Sequence, residues 1–216
     1  LPTAGEVSQA FAAALAKYRV QLAQVLTTTQ LAALLEGARE VITLHENDEL
    51  TWVKPSSGKD DISLVTRQGQ SIRFSEEDVR AMGRSAAGVR GIKLKKNDFV
   101  VGMDVIRPEL AKKGALELFT ITENGLGKRT NLKEYKNQGR GGSGIRTARV
   151  TDKTGGVVGA YISAEDDETD LVLISKKGIV IRLPFKSVPS LGRDTQGVRV
   201  MRFKEEGDLV SGVTFV

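Results

Sequence analysis

Cysteine is absent from the 216 residues, histidine occurs once (His45), tryptophan once (Trp52), and aromatic side chains make up only 5%. Each scarcity removes a class of chemistry. Without cysteine there is no disulfide, thiol nucleophile, zinc finger or iron–sulfur cluster. A Ser-His-Asp triad could be built only on His45, which has no evident partner and reads as structural. So few aromatics leave no platform on which single-stranded bases could stack, and Trp52 is assigned to a core. No apolar run approaches the roughly 20 residues that span a bilayer. The chain opens at Leu1 without a signal-peptide pattern, so it is expected to be an excerpt of an intracellular, cytoplasmic protein with no membrane partner.

What is present is a core-sized chain with a charge bias. At this length a fold can bury roughly 70% of the unfolded surface and needs no covalent staple. The net charge is +5, a mild pull towards nucleic acid or another polyanion. It is uneven: residues 1–57 hold four Lys/Arg and six Asp/Glu, leaving 28 against 21 for residues 58–216. An anion-binding surface therefore belongs to the second part.

That part is a threefold repeat. Gly69, Gly125 and Gly178 each follow a strand-like run, ISLVTRQ, LELFTITEN and LVLISKK. Four residues after each glycine stands an arginine: Arg73, Arg129, Arg182. Gly-Arg follows at fourteen and fifteen (Arg84, Arg140, Arg193), and Gly-Val/Ile-Arg at nineteen to twenty-one (Arg90, Arg146, Arg199). Each unit closes on another apolar run. Alternation, β-branched residues and glycine-bounded turns predict about four strands per unit. Units of about 50 residues built this way make an all-β, propeller-like fold. The blades are set at 58–107, 114–163 and 168–216 of a single domain, 1–216. Residues 1–57 form a degenerate first blade or are partly helical, since residues 4–36 are rich in helix-forming Ala, Leu and Gln.

The segments GQSIRFSEEDVRAMGRSAAGVRGIKL, YKNQGRGGSGIRTARVTDKTG and ISKKGIVIRLPFKSVPSLGRDTQGVRVMRF resemble the C-terminal domain of the bacterial DNA gyrase A subunit and, second to it, that of the topoisomerase IV A subunit. The resemblance covers about residues 37–216. It implies a β-pinwheel, a propeller-like disc whose blades exchange strands and whose basic rim bends or wraps double-stranded DNA. It implies no catalysis by the domain itself. The parent enzyme would be an ATP-dependent type II topoisomerase, DNA gyrase. The domain's partners would be the B subunit together with the remainder of the A subunit, with ATP and Mg2+ held elsewhere. The family's signature box, Gln-Arg-Arg-Gly-Gly-Lys-Gly, is degenerate here as Gln138-Gly139-Arg140-Gly141-Gly142-Ser143-Gly144. It lacks two of the three basic residues and sits in a late repeat. With three clear blades, the chain is expected to be a fragment or a shortened variant.

On this reading the nine repeated arginines form rings of charge facing phosphate, which the planar guanidinium fork grips with two parallel hydrogen bonds. The Gly-Arg loop pairs come first among them. The alternative is that some arginines pair with acids such as Glu76, Asp78 and Asp194 and hold blades together. Arg67, Lys128, Lys136, Arg149, Lys176 and Lys177 are further candidate contacts. Repeated cations position a backbone and carry no base readout. Gly139, Gly141 and Gly144 also satisfy G-x-G-x-x-G, but a polar YKNQ precedes them and an alternating IRTARV follows, so no dinucleotide, other cofactor or metal is expected. A propeller-like scaffold for an acidic protein partner is the competing function.

Overall fold

The computed structural model describes residues 43–216 except 47, 84–85, 114–115 and 165–167. The expected first blade or helix over 1–57 therefore falls largely outside the described residues; within 43–57 no strand is assigned, and Trp52 is half-buried rather than core. The chain divides into two compact units, residues 1–55 with 80–89, and residues 56–79 with 90–216. In the first, the Thr43 N–H donates to the Ala86 carbonyl at 3.2 Å. The second carries every sheet found among the described residues.

Three hairpins open its three repeats: β1 (Asp61–Thr66) with β2 (Gln70–Ser75), β4 (Leu116–Thr122) with β5 (Leu126–Asn131), and β8 (Asp170–Ser175) with β9 (Val180–Pro184). Each turns through a glycine of positive φ, Gly69, Gly125 and Gly178 at 75°, 77° and 83°, the left-handed residue of a three-residue hairpin loop. β3 (Val100–Ile106), β7 (Val157–Ala164) and β11 (Val210–Phe215) return alongside the first strand of their own hairpins. In the linker after β3, Pro108–Lys113 forms a short helix, α1, with proline in its first turn where a missing N–H costs nothing.

The fourth strand of a sheet comes from the next repeat. The two-residue β6 (Ile145–Arg146) pairs with β2, and β10 (Val198–Arg199) pairs with β5. Among the described residues the sheets are thus four-stranded β3-β1-β2-β6, four-stranded β10-β5-β4-β7 and three-stranded β11-β8-β9. Gly144 and Gly197, just before the borrowed strands, have φ of 69° and 79°, and a Cβ on either would strike the carbonyl of Ser71 or of Gly127. Gly144→Ala should therefore cost more than about 2 kcal/mol, the left-handed penalty plus the clash. Gly88→Ala, at φ 76° in open space, should cost only about 1 kcal/mol. Thermal or urea unfolding of the two variants makes the comparison.

The sheets pack face to face through period-two alternation. In β4, buried along its whole length, Leu116 and Leu118 enter a cluster with Val65, Ile106, Val157 and Ala160 of the first two sheets. Phe119 and Ile121, on the other face, join Leu171, Leu173, Phe185 and Val210 of the third. The middle sheet is the core of the unit because both of its faces are covered.

Candidate nucleic-acid interface

The hairpins place an acid on their first strand and an arginine on their second. Arg73 Nη2 lies 2.7 Å from Asp61 Oδ2, Arg129 Nη1 lies 2.8 Å from Glu117 Oε2, and Arg182 Nε lies 2.6 Å from Asp170 Oδ2. Arg73 also donates to the Tyr135 carbonyl and Arg129 to the Val188 carbonyl. Each arginine is thus paired with an acid of its own hairpin, Arg73 and Arg129 are tied to a carbonyl of the following repeat as well, and the acids are not those considered from the sequence. The signal was there to be found: Asp61, Glu117 and Asp170 all stand eight residues before the hairpin glycine.

The loop arginines bind the following repeat to the preceding one. Arg140 Nη1 donates to the Arg90 carbonyl at 2.7 Å and its Nε to the Asp78 carbonyl at 3.1 Å. Arg193 Nη1 donates to the Arg146 carbonyl at 2.7 Å, and its backbone N–H donates to Glu134 Oε2 at 2.9 Å. Arg84, their counterpart, lies outside the described residues. The box Gln138–Gly144 is stitched down as well: the Gln138 N–H donates to the Arg73 carbonyl and the Gly141 N–H to the Gly91 carbonyl, both at 2.7 Å. Both described loop guanidiniums thus spend donors on backbone carbonyl oxygens of the preceding repeat, not on the carboxylates considered from the sequence.

Lys128 differs most from its reading as a surface cation. It is 1% exposed, and its Nζ donates to the Gly192 carbonyl at 2.7 Å, the Arg193 carbonyl at 2.5 Å and Thr195 Oγ1 at 3.0 Å. The other repeats have Ile72 and Ile181 at this place, so a buried ammonium here replaces an apolar contact and pins the loop of the next repeat. Burial pushes Lys128 down to about 8, against the pull of Glu134 and Asp194. Its folded value lies below the unfolded one of about 10.4, so between them the unfolded chain holds more protons and stability rises with pH. Between pH 8 and about 10 the gain should approach 1 kcal/mol per pH unit and vanish in Lys128→Met. Tyr135, pushed up to about 12 by burial, reverses the trend only above about pH 10. Chemical denaturation at several pH values tests this.

The remaining cations are outward. Arg146 and Arg199 lie on the outermost strands, opposite Gln70 and Leu126, at equivalent places of successive sheets, and they and Arg90 are all exposed. Arg146 and Arg149 share Asp194 at 3.1 and 3.6 Å, about half-exposed. Lys136, Lys176 and Lys177 are exposed, Lys177 pairing with Glu205 at 2.9 Å. Arg67 pairs with Glu123 at 2.7 Å. Repeat offsets do not single out Lys93, Lys95 and Lys96, all exposed beside Arg90; their crowding within seven residues was the available signal. Among the described residues no group of three His, Asp or Glu side chains converges as a metal site, and no helix is long and apolar enough to cross a membrane.

A family model described as the DNA gyrase C-terminal domain, beta-propeller, matches residues 60–107, 116–164 and 169–216. The DNA gyrase A subunit of Aminobacterium colombiense is 41% identical over 194 residues, 90% of this chain and 23% of that protein. Its counterpart in Staphylococcus epidermidis is 42% identical over 181 residues, 84% of this chain and 20% of that protein. The chain thus spans less than a quarter of these relatives. Among solved structures, a DNA gyrase A C-terminal domain aligns with TM-score 0.69 and 27% identity, over 81% of this chain and 57% of its own. The C-terminal domain of a DNA topoisomerase IV aligns with TM-score 0.73 and 24% identity, over 82% and 52%.

Proposed function

The chain belongs to the family of DNA gyrase C-terminal β-propeller domains, a β-pinwheel fold, and from that premise we propose that it is a non-catalytic domain that bends or wraps duplex DNA for a gyrase. The observation that carries this reading is the placing of Arg146 and Arg199 at equivalent, outward positions on successive edge strands, with Arg90 and Lys93, Lys95 and Lys96 exposed in the preceding repeat. A duplex running across the blades meets a cation at each one.

Exchange of strands makes this arrangement stiff. Arg146 and Arg199 each sit on a strand whose neighbour belongs to another repeat. The backbone carbonyls of Arg90 and Arg146 are held by the loop arginine of the repeat that follows. A duplex bound to a rigid row of cations takes the path of that row. Bending 20–30 base pairs costs on the order of 1–6 kcal/mol, which several phosphate contacts made together offset through counterion release. The B subunit and the remainder of the gyrase A chain are the partners that turn a bend into a change of topology, with ATP and Mg2+ bound outside this domain, in the cytoplasm.

Fluorescence anisotropy with a labelled duplex across a salt series tests the proposal. With five to nine phosphates neutralised, log K should fall against log salt with a slope of about −4.5 to −8. A slope near zero, or preference for an acidic peptide over duplex, would point instead to a protein-interaction scaffold.

A further inference from the structure

The outward arginines have a second cation beside them in every repeat. Three residues after Arg90, Arg146 and Arg199 stand Lys93, Arg149 and Arg202, and all six residues are exposed. The first two pairs dock on the following repeat in the same way. The Lys93 N–H donates to the Gly142 carbonyl at 2.8 Å and the Arg149 N–H to the Thr195 carbonyl at 3.0 Å. Gly142 and Thr195 stand at one offset from their hairpin glycines, so the two junctions correspond residue for residue.

They differ where an anion would notice. Before Gly142 stands Gly141, which has no side chain; before Thr195 stands Asp194. The Asp194 carboxylate reaches back between the two arginines. Arg146 Nη1 donates to both of its oxygens, at 3.1 and 3.3 Å, and Arg149 Nε lies 3.6 Å from one of them. A carboxylate between two guanidiniums stands where a phosphate would, since both anions offer paired oxygens to the same planar donors. The loop beneath it is pinned. Lys128 Nζ donates to the Gly192 and Arg193 carbonyls and to Thr195 Oγ1, on both sides of Asp194, where the first repeat has Ile72 instead. The Asp194 backbone is therefore fixed, while its side chain, 44% exposed, is free to turn away. Two departures from the repeat, Lys128 and Asp194, meet at one junction.

We propose that Arg146 and Arg149 form a site for a backbone phosphate of duplex DNA that Asp194 holds closed, so that the phosphate binds by displacing the carboxylate. This rests on the duplex-binding reading above. Arg90 and Lys93 face Gly141 and meet phosphate without that rival, whereas Asp194 sets the strength of the next contact without touching DNA.

Anisotropy titrations of the full chain with a labelled duplex, across a salt series, test the clasp. Asp194→Asn keeps the shape of the side chain and removes its charge. At low salt it should bind about three- to tenfold tighter than the wild type, the worth of two exposed ion pairs. The gain should shrink as salt rises, because screening weakens the internal pair too. A variant that failed to fold could not produce it. Removing any acid near a DNA site raises affinity somewhat, so the deciding comparison is a cycle. In an Arg146→Ala/Arg149→Ala background, shown to be folded by its unfolding curve, the same change should give less than about a twofold gain. Equal gains in both backgrounds mean a general charge effect and overturn the clasp, as does an Asp194→Asn variant that binds like the wild type. A wild type that binds no duplex at any salt overturns the duplex-binding reading itself, and the clasp with it.

Discussion

Arg129→Ala is expected to lower the unfolding free energy by about 3–5 kcal/mol, the cost of stripping the partner from a buried charge. Arg182→Ala, the same place in the third repeat, should change it by no more than about 1 kcal/mol. The two arginines make the same kind of ion pair, at 2.8 and 2.6 Å, in different surroundings. Glu117 is 1% exposed and accepts from Ser190 Oγ as well as facing Arg129. The Arg129 guanidinium lies 5.2 Å from the centre of the Phe185 ring and donates to the Val188 carbonyl at 2.6 Å. Alanine there leaves a carboxylate in the interior without a cation and a carbonyl without a donor. At Arg182, whose side chain is mostly exposed, water takes over the contact with Asp170. Urea unfolding with a common m-value reads the difference as separate midpoints. Equal shifts in the two variants would mean that burial is not what gives the inner pair its worth. The DNA salt slope of Arg129→Ala should stay that of the wild type, since this side chain is turned into the blade.

Why the sequence pointed these arginines outwards can be said in physical terms. A periodic cation is the same signal whether it meets phosphate, a carboxylate or a carbonyl, because each is an acceptor repeated once per blade. What separates the cases is a second repeated residue. The acids eight residues before each hairpin glycine stand twelve before Arg73, Arg129 and Arg182, which sets acid and arginine on the two strands of one hairpin; they stand twenty-nine before Arg90, Arg146 and Arg199, beyond the reach of that hairpin. Lys128 was legible by the opposite route: a polar residue where Ile72 and Ile181 stand must bring its own partners inside. The hairpins, their glycine turns and the all-β class followed directly from alternation. Strand exchange did not follow from alternation, since a repeat looks identical along the chain whether its last short strand joins its own sheet or the one before. Only the close approach of Gly144 to Ser71 and of Gly197 to Gly127 fixes which sheet receives it.

That sorting sets the last expectation. Replacing Arg90, Arg146 and Arg199 together by alanine should reduce the salt slope of duplex binding by about 2.7, three contacts at about 0.9 each. Near 0.1 M salt this amounts to a loss of affinity of about 10²–10³-fold. The fold should tolerate the change, because exposed side chains away from buried pairs contribute little to stability. Arg140→Ala with Arg193→Ala should show the inverse pattern. Their guanidiniums hold the carbonyls of Arg90, Asp78 and Arg146, so the pair should lower the unfolding midpoint while altering the slope by less than about one unit. Anisotropy titrations at four or more salt concentrations, with unfolding curves on the same samples, separate the two patterns. If the loop pair carries the slope and the exposed triple does not, duplex DNA runs over the Gly-rich loops, and Arg140 and Arg193 must release their carbonyls to meet it. The outward arginines bear the contact only if removing all three costs affinity without costing stability.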